Sequence, residues 1–308
     1  MMQCSVCAGV VAHNPGSAEI RGLVSRLLQS VQWVVVVDNA SSDVQYLADL
    51  ADDPRIKLIR NETNRGVSAG INQIIRHARE VNARFVIAFD QDTVISEFMV
   101  TRLVEDFDRL ESAGEHVAAI GPVVVDDFTD HCLPFVHFRF PFNTRFNGSP
   151  GQQDRLVECH FLISSGCLMS MRAIEEIGLM NEDLFIDNVD LDWCFRALDK
   201  RYKVYGNFGG MIRQRIGENC TQIPFTKSVI RYHDAGRHYY MTRNRFWLYR
   251  QAYVSGAWVF HDVCRFAAKF VYLLVFKQGR LDLVRSSARG IVDSFQMESY
   301  KHTKVQSI

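Results

Sequence analysis

The chain has 308 residues, enough for one large α/β domain with an appendage or for two small domains. At 47% hydrophobic and 23% charged residues it is neither disordered nor collagen-like. Thirty-five basic residues balance 35 acidic ones, which argues against a general nucleic-acid binder. The balance is uneven, because residues 241–290 hold nine Lys/Arg and two Asp/Glu and leave the remainder acidic.

In chain order, Val6 to Ala12 is an apolar strand, and Ser17 to Ser30 places Ile20, Leu23, Val24, Leu27 and Leu28 at helical spacing. Trp33 to Val37 is a β-branched strand broken by Asp38-Asn39-Ala40-Ser41-Ser42-Asp43. Tyr46 to Leu50 predicts a short helix, Ile56 to Arg60 a strand, Val67 to Val81 a helix and Phe85 to Phe89 a strand. Strand and helix alternating at this spacing predict a mostly parallel sheet with helices on both faces. Phe98 to Leu110 is helical, Val117 to Val125 is a strand, and residues 126–155 form a long aromatic excursion that could cover a site. Leu162 to Met171 reads as a strand entering a helix, and Leu191 to Leu198 as a helix. From about Arg231 the chain is mainly helical, which divides it into 1–230 and 231–308.

Eight cysteines are scattered, mostly in apolar runs. Cys4 and Cys7 form the one close pair, and residues three apart on a strand face opposite sides, so they do not suggest a shared metal. The thiols read as buried in a reducing compartment. No basic flank precedes an apolar segment at the amino terminus, so no signal peptide is expected. No uncharged apolar run approaches the ~20 residues that cross a bilayer. Asn147-Gly-Ser149 and Asn219-Cys-Thr221 fit the glycosylation pattern, which a cytosolic chain would not meet.

Four segments carry chemistry. A carboxylate at Asp38, after a buried strand, can accept hydrogen bonds from a base or a ribose, or it can close an Asx turn. Asn64-Arg65-Gly66-Val67-Ser68-Ala69-Gly70-Ile71-Asn72 allows close backbone approach to a ligand, with phosphate favoured at a helix N-terminus and Arg65 adding charge. This stretch is neither Gly-x-Gly-x-x-Gly nor a P-loop. Asp90-Gln91-Asp92 ends a buried strand, where it can open a loop or hold Mg²⁺ or Mn²⁺ across a diphosphate. Phe185-Ile186-Asp187-Asn188-Val189-Asp190-Leu191-Asp192-Trp193 is a second acidic cluster at a helix start. Asp192 and Arg196 are four apart and can pair on one helical face. Trp193 can stack on a sugar ring or anchor the core.

In this order the segments resemble the inverting family 2 glycosyltransferases over roughly residues 6–220. The resemblance implies a GT-A fold, with a mostly parallel Rossmann-like sheet flanked by helices and a helical C-terminal extension. It implies a nucleotide-sugar site at Ala12, His13, Asn14, Asp38, Arg65, Gly66, Asp90 and Gln91. Asp92 is implied as metal ligand, with Gln214 standing where relatives often carry a metal-binding His. Asp190 matches the catalytic base, and Asp187, Asp192 and Trp193 fall in the acceptor region. Asp90-Gln91-Asp92-Thr93, the 185–194 run and Tyr239-Tyr240-x-x-Arg243-Asn244 are most similar to bacterial rhamnosyltransferases. Those use dTDP-L-rhamnose and extend lipid-linked surface polysaccharides such as O-antigen. The rival readings are a sugar nucleotidyltransferase, which would want a Gly-rich, Lys-containing loop after the first strand, and a non-catalytic scaffold that keeps the fold.

In the C-terminal region, Arg243, Arg245, Arg250, Arg265, Lys269, Lys277, Arg280, Arg285 and Arg289 interleave with Trp247, Tyr249, Tyr253, Trp258, Phe260, Phe266, Phe270, Tyr272 and Phe276. Cations among aromatics at helical spacing suit an interfacial helix on an anionic leaflet. A cytoplasmic protein peripheral on the inner face of the plasma membrane is expected, with no nucleic-acid partner. The alternative is a helical subdomain that packs these aromatics into the core.

Overall fold

The computed structural model describes every residue except 1–4, 150–151, 153–154, 216–218, 223–228, 233–234, 277–279 and 301–308. The first half follows the alternation read from the sequence. β1 (Val6–Ala12), α1 (Ser17–Leu27), β2 (Trp33–Asp38), α2 (Gln45–Ala48), β3 (Ile56–Arg60), α3 (Gly66–Glu80) and β4 (Phe85–Asp90) come in that order. Next are β5 (Val94–Ile95), α4 (Met99–Ser112), β6 (Val117–Asp126), β7 (Phe135–His137), β8 (Thr144–Phe146), β9 (Leu156–Cys159), β10 (Leu168–Ser170) and α5 (Met171–Ile177). The chain continues through a 3-10 turn at Glu182–Leu184, α6 (Val189–Asp199), β11 (Lys203–Gln214), β12 (Asn219–Gln222) and β13 (Val229–Tyr232). It ends in α7 (Ala235–Leu248), α8 (Gly256–Phe276) and α9 (Arg280–Gln296).

One nine-stranded sheet runs β3-β2-β1-β4-β10-β6-β11-β5, with β9 added on β11. β3, β2, β1 and β4 are mutually parallel, as are β6 and β11. β10 runs against both of its neighbours. Alternate residues of the buried strands enter two cores. Val6, Ala8, Val10, Val34, Val36, Phe85 and Ile87 meet α1 and α4 on one face. Cys7, Val35, Val37, Val86 and Ala88 meet α3, α5 and α6 on the other. Fully burying such a side chain contributes about 1.5–3 kcal/mol. Gly9 lets α3 lie close to β1, because a Cβ there would sit 2.4 Å from Ile74.

The sequence left residues 126–155 without a period, and β7 and β8 form a small antiparallel hairpin there. β11 was not read from the sequence. Gly206, Asn207, Gly209 and Gly210 interrupt its apolar pattern, and its register with β6 shifts between Asn207 and Met211. β13 includes Arg231, so the helical region begins a few residues later than expected. The thiols are not all buried either, since Cys264 is exposed. Cys4 lies outside the described residues.

The C-terminal helices place part of the basic, aromatic set in the core. Trp247 and Trp258 are 0% and 3% exposed and join the main core. Arg245 and Tyr249 both bond Asp262, at 2.6 and 2.8 Å. Arg243 donates to the Leu184 carbonyl, and Arg250 lies 4.9 Å over the Phe295 ring. Much of the cation–aromatic interleaving is therefore internal packing. Exposed apolar side chains include Phe260, Val263, Val271 and Val275 on α8, with Phe140 and Phe142 from the β7–β8 turn. Among the described residues, no helix is long and apolar enough to cross a membrane.

Candidate active site

The carboxyl ends of β1, β2 and β4 come together through side chains of their own loops. His13 N donates to Gln91 Oε1 at 2.7 Å, and the His13 ring meets the Asn39 carbonyl at 2.9 Å. Asn14 holds Ser42 through its Oδ1 at 2.9 Å. Asn39, which sequence reading passed over, is the hub. Its Oδ1 accepts from Arg65 N and Asn61 Nδ2, while its Nδ2 donates to Asn64 Oδ1 and the Gly66 carbonyl. It is 3% exposed, so the bonds that fix the 61–66 loop to the end of β2 are made out of water.

Asp38 is not presented to a ligand. It is fully buried, Tyr46 Oη donates to it at 2.7 Å, Ser41 N at 3.3 Å, and Arg60 Nε lies 3.7 Å away. Beside this network a crevice of about 420 Å³ opens between Ala40, Ser41, Arg60, Asn61 and Glu62.

The first turn of α3 is also not free to take phosphate. Val67 N donates to the Phe185 carbonyl at 2.8 Å, and Ser68 N lies 3.4 Å from the same oxygen. The chain before α6 thus caps α3 from a distance of more than a hundred residues. Gly66 has φ +82° and a Cβ there would meet Phe185 O at 2.4 Å, so this closeness requires glycine. Arg65 pairs with Glu182 at 3.3 Å on the surface.

The end of β4 is tied to the loop before β10 through Ser165. Asp90 N donates to Ser165 Oγ at 3.2 Å, and that hydroxyl lies 2.9 Å from Thr93 Oγ1. The Asp190 carboxylate accepts from Leu191 N at 2.8 Å. Burial pushes Asp90 up to about 6, the charge of Asp92 adds to the rise, and Arg237 opposes it. Asp92 is exposed and also raised, first by partial burial and then by Glu19, with Arg215 opposing. Burial pushes Asp190 up to about 7. The Leu191 amide opposes that rise, and the charge of Asp187 adds to it. Gln214 is 7% exposed, and its Oε1 lies 3.5 Å from Thr93 Oγ1. It therefore faces the Thr93–Ser165 pair.

Asp187 is gripped by Arg237 through two bonds, at 3.1 and 3.2 Å. Arg237 also acts on Asp90, so one guanidinium spans the two acidic segments. Phe185, Asp187 and Asn188 have φ of 63°, 63° and 62°, a conformation non-glycine residues adopt only when held. Asn244 of α7 holds it. Fully buried, its Nδ2 donates to the Leu184, Ile186 and Asp187 carbonyls at 2.8, 2.8 and 2.9 Å.

Asp192 and Trp193 do not reach this site. Two helical positions differ by about 200°, so Asp190 and Asp192 point to opposite sides of α6. Asp192 is fully buried, pairs with Arg196 at 2.8 Å as the spacing predicts, and accepts from Tyr253 Oη at 2.6 Å. Trp193 is 2% exposed and its indole donates to the Gly178 carbonyl at 3.0 Å. Both are core anchors.

Asp190 opens instead into a cavity of about 560 Å³, walled by the β7–β8 hairpin and α8 with residues such as Phe138, Arg145, Trp258 and Phe266. The aromatic excursion at 126–155 thus does cover part of the site.

Comparison with known proteins fits this geometry. Residues 7–178 match the family model described as Glycosyl transferase family 2. The dTDP-rhamnosyl transferase RfbF of Shigella flexneri is 31% identical over 255 residues, which cover 82% of either chain. TarS of S. aureus, solved in complex with UDP-GlcNAc, superposes with a TM-score of 0.54 at 14% identity, over 95% of this chain and 81% of that one. GalNAc-T7, solved with UDP, GalNAc and Mn²⁺, gives 0.55 at 12% identity, over 69% of this chain but only 44% of its own. At such identities the solved structures speak for the fold alone, and that fold is GT-A. With more than half of its length matched by the family model and a close-length relative above 30% identity, the chain belongs to glycosyl transferase family 2 and is a glycosyltransferase.

Proposed function

We propose that the protein is an inverting transferase that moves L-rhamnose from dTDP-L-rhamnose to a lipid-linked saccharide of a bacterial surface polysaccharide. The carrying observation is Asp190 at the edge of a cavity, raised by burial to about 7, with Arg237 bonded to the neighbouring Asp187 and opposing the rise of Asp90. A carboxylate with that pKa is half ionised near neutral pH, which suits a general base. Asp190 takes the acceptor hydroxyl proton while that oxygen attacks the anomeric carbon from the face opposite the leaving diphosphate. Ser41 and Arg60 border the crevice in which the nucleotide base would lie, and Asp38 acts by fixing that loop. The rhamnosyl donor is supported by the likeness to RfbF.

The donor atoms fit a hard divalent cation. Asp90 and Asp92 are like-charged neighbours whose ionised forms oppose each other, and a cation relieves that opposition. Among the described residues no group of three His, Cys, Asp or Glu side chains could hold a metal, so diphosphate oxygens and water would complete the sphere. Asp92, with Asp90 beside it, would hold Mg²⁺ or Mn²⁺; Gln214 would contribute at most an amide oxygen. The ion's contribution is neutralisation of charge on the departing diphosphate. The exposed apolar side chains of α8 and the β7–β8 turn support placement on the inner face of the plasma membrane.

A thermal-shift panel of nucleotide sugars tests the donor. dTDP-L-rhamnose with Mn²⁺ or Mg²⁺ is expected to raise Tm by several degrees, because a ligand that binds only the folded state stabilises it. UDP-GlcNAc is expected to raise it less. A larger shift with UDP-GlcNAc would reassign the donor.

A further inference from the structure

The Tyr239-Tyr240-x-x-Arg243-Asn244 run lies on α7, and the proposed chemistry does not use it. Three of its side chains meet the turn before α6. Tyr240 stacks on Phe185, with ring centroids 4.8 Å apart and planes 19° apart. Arg243 lies 4.9 Å over the Tyr240 ring and donates to the Leu184 carbonyl at 3.3 Å. Asn244 holds three carbonyls of the same turn. Arg237, Tyr240 and Asn244 follow one another at steps of three and four, so they share one face of α7. Arg237 is thus the first member of a clamp that the motif continues.

Arg237 differs from the others in what it grips, which is a charge. Its Nε and Nη2 donate to the two carboxylate oxygens of Asp187, fork to fork. The two side chains are 30% and 20% exposed, so salt screens this pair less than a surface one. Asp187 stands three residues before Asp190, and its charge opposes ionisation of Asp190. Other charged and titratable groups face Asp190 as well. Arg145, His238, Arg245, Asp262, Arg265 and Lys269 line the same cavity, and the charge of Asp190 acts on the Cys167 and Cys194 thiols. Arg237 and Asp187 can be substituted while all of these stay in place.

We propose that Arg237 is a positioning residue for the base: its guanidinium fixes the Asp187 carboxylate in the turn before α6 and cancels its charge there, so that Asp190 faces a neutral pair rather than an anion. Without the guanidinium, ionised Asp190 meets the bare charge of Asp187, and the base stays protonated to higher pH. Without the Asp187 carboxylate, the guanidinium remains and favours the ionised base. The two losses therefore act in opposite directions. The catalytic meaning rests on Asp190 being the base; the coupling between the charges does not.

The test reads the ionisation of Asp190 in two ways. One is the acid limb of kcat at saturating substrates. The other is the carboxyl carbon of the ¹³C-aspartate-labelled full chain without ligands, assigned by its loss in Asp190→Asn. Arg237→Ala is expected to raise the midpoint by about 0.5–1 pH unit, and Asp187→Asn to lower it by about as much. On the acid limb, kcat of Arg237→Ala then falls roughly three- to tenfold beyond any change in its plateau. The double variant should return toward the wild-type midpoint, because one neutral pair replaces another. Arg237→Lys keeps the charge without the fork, so it should keep the midpoint and lose part of the plateau. A turn that is merely loosened lowers the plateau without moving the two single-variant midpoints apart. In the labelled protein, a midpoint that fails to rise in Arg237→Ala, or fails to fall in Asp187→Asn, overturns the proposal. Midpoints that move as expected there, with a kcat limb that does not follow them, would uphold the coupling and take the base role from Asp190.

Discussion

Asp190→Asn is expected to retain donor binding and to lower turnover by roughly 10²–10⁴-fold, the usual contribution of a positioned general base. The amide has nearly the same shape and can keep the bond from the Leu191 amide, but it cannot accept the acceptor proton. Donor affinity should hold, because the Asp90–Asp92 segment lies on a separate strand end. The same substitution should stabilise the fold at high pH. Asp190 is raised from the ordinary carboxylate value to about 7 in the folded chain. Its contribution to stability is thus fully present below about pH 4 and is lost as pH rises through about 7. Asn never ionises, so above pH 7 the variant should exceed wild type by on the order of 1–4 kcal/mol, with no gain near pH 4. Denaturant midpoints at the two pH values, beside kcat and donor Kd, measure all three effects. Unchanged kcat would take the proton-transfer role away from Asp190.

Asn244→Ala is expected to be the most damaging change outside the carboxylates. It removes three hydrogen bonds to the carbonyls of Leu184, Ile186 and Asp187 and strands buried acceptors. At about 1–3 kcal/mol per unsatisfied group, with partial rescue by water, the loss is roughly 2–5 kcal/mol. Those bonds also hold the left-handed residues Phe185, Asp187 and Asn188 just ahead of Asp190. Turnover should therefore fall well below the melting temperature while donor affinity changes little. Asn244→Asp is the control, since a carboxylate of the same size cannot donate and adds charge beside Asp187. Hydrogen exchange at residues 184–188 should quicken in both. Wild-type kcat with unchanged exchange would show that α7 does not position the loop.

The parallel block β3-β2-β1-β4 was legible because strands buried on both faces read as continuous apolar runs, as in Trp33 to Val37. β10, leading into α5, was legible as a strand entering a helix, but its antiparallel direction was not, because three residues carry no direction. β11 was hidden by its own irregularity at Asn207 and the two glycines that follow. In the site, Asp90-Gln91-Asp92 stood out in the sequence at the end of an apolar run, and Asp190 through the family resemblance. Asp192 and Trp193 were not separable from Asp190 by sequence. α6 is buried nearly all round, so no polar stripe marks which face meets solvent. Asn244 stood in the Tyr239-to-Asn244 motif, but its role and that of Asn39 were not legible, because each acts on carbonyls or amides far away in the chain. The capping of α3 by Phe185 is the same kind of contact, and it removed the phosphate site that α3 alone would offer.

The most direct measurement is the pH dependence of kcat at saturating donor and acceptor, for wild type and Asp190→Asn. With Asp190 as the proton acceptor, wild-type kcat rises tenfold per pH unit on the acid side and levels off above an ionisation near 7. The residual rate of the variant shows no such limb. A wild-type profile that is flat from pH 5 to 9, or the same limb in both proteins, would contradict Asp190 as the proton acceptor.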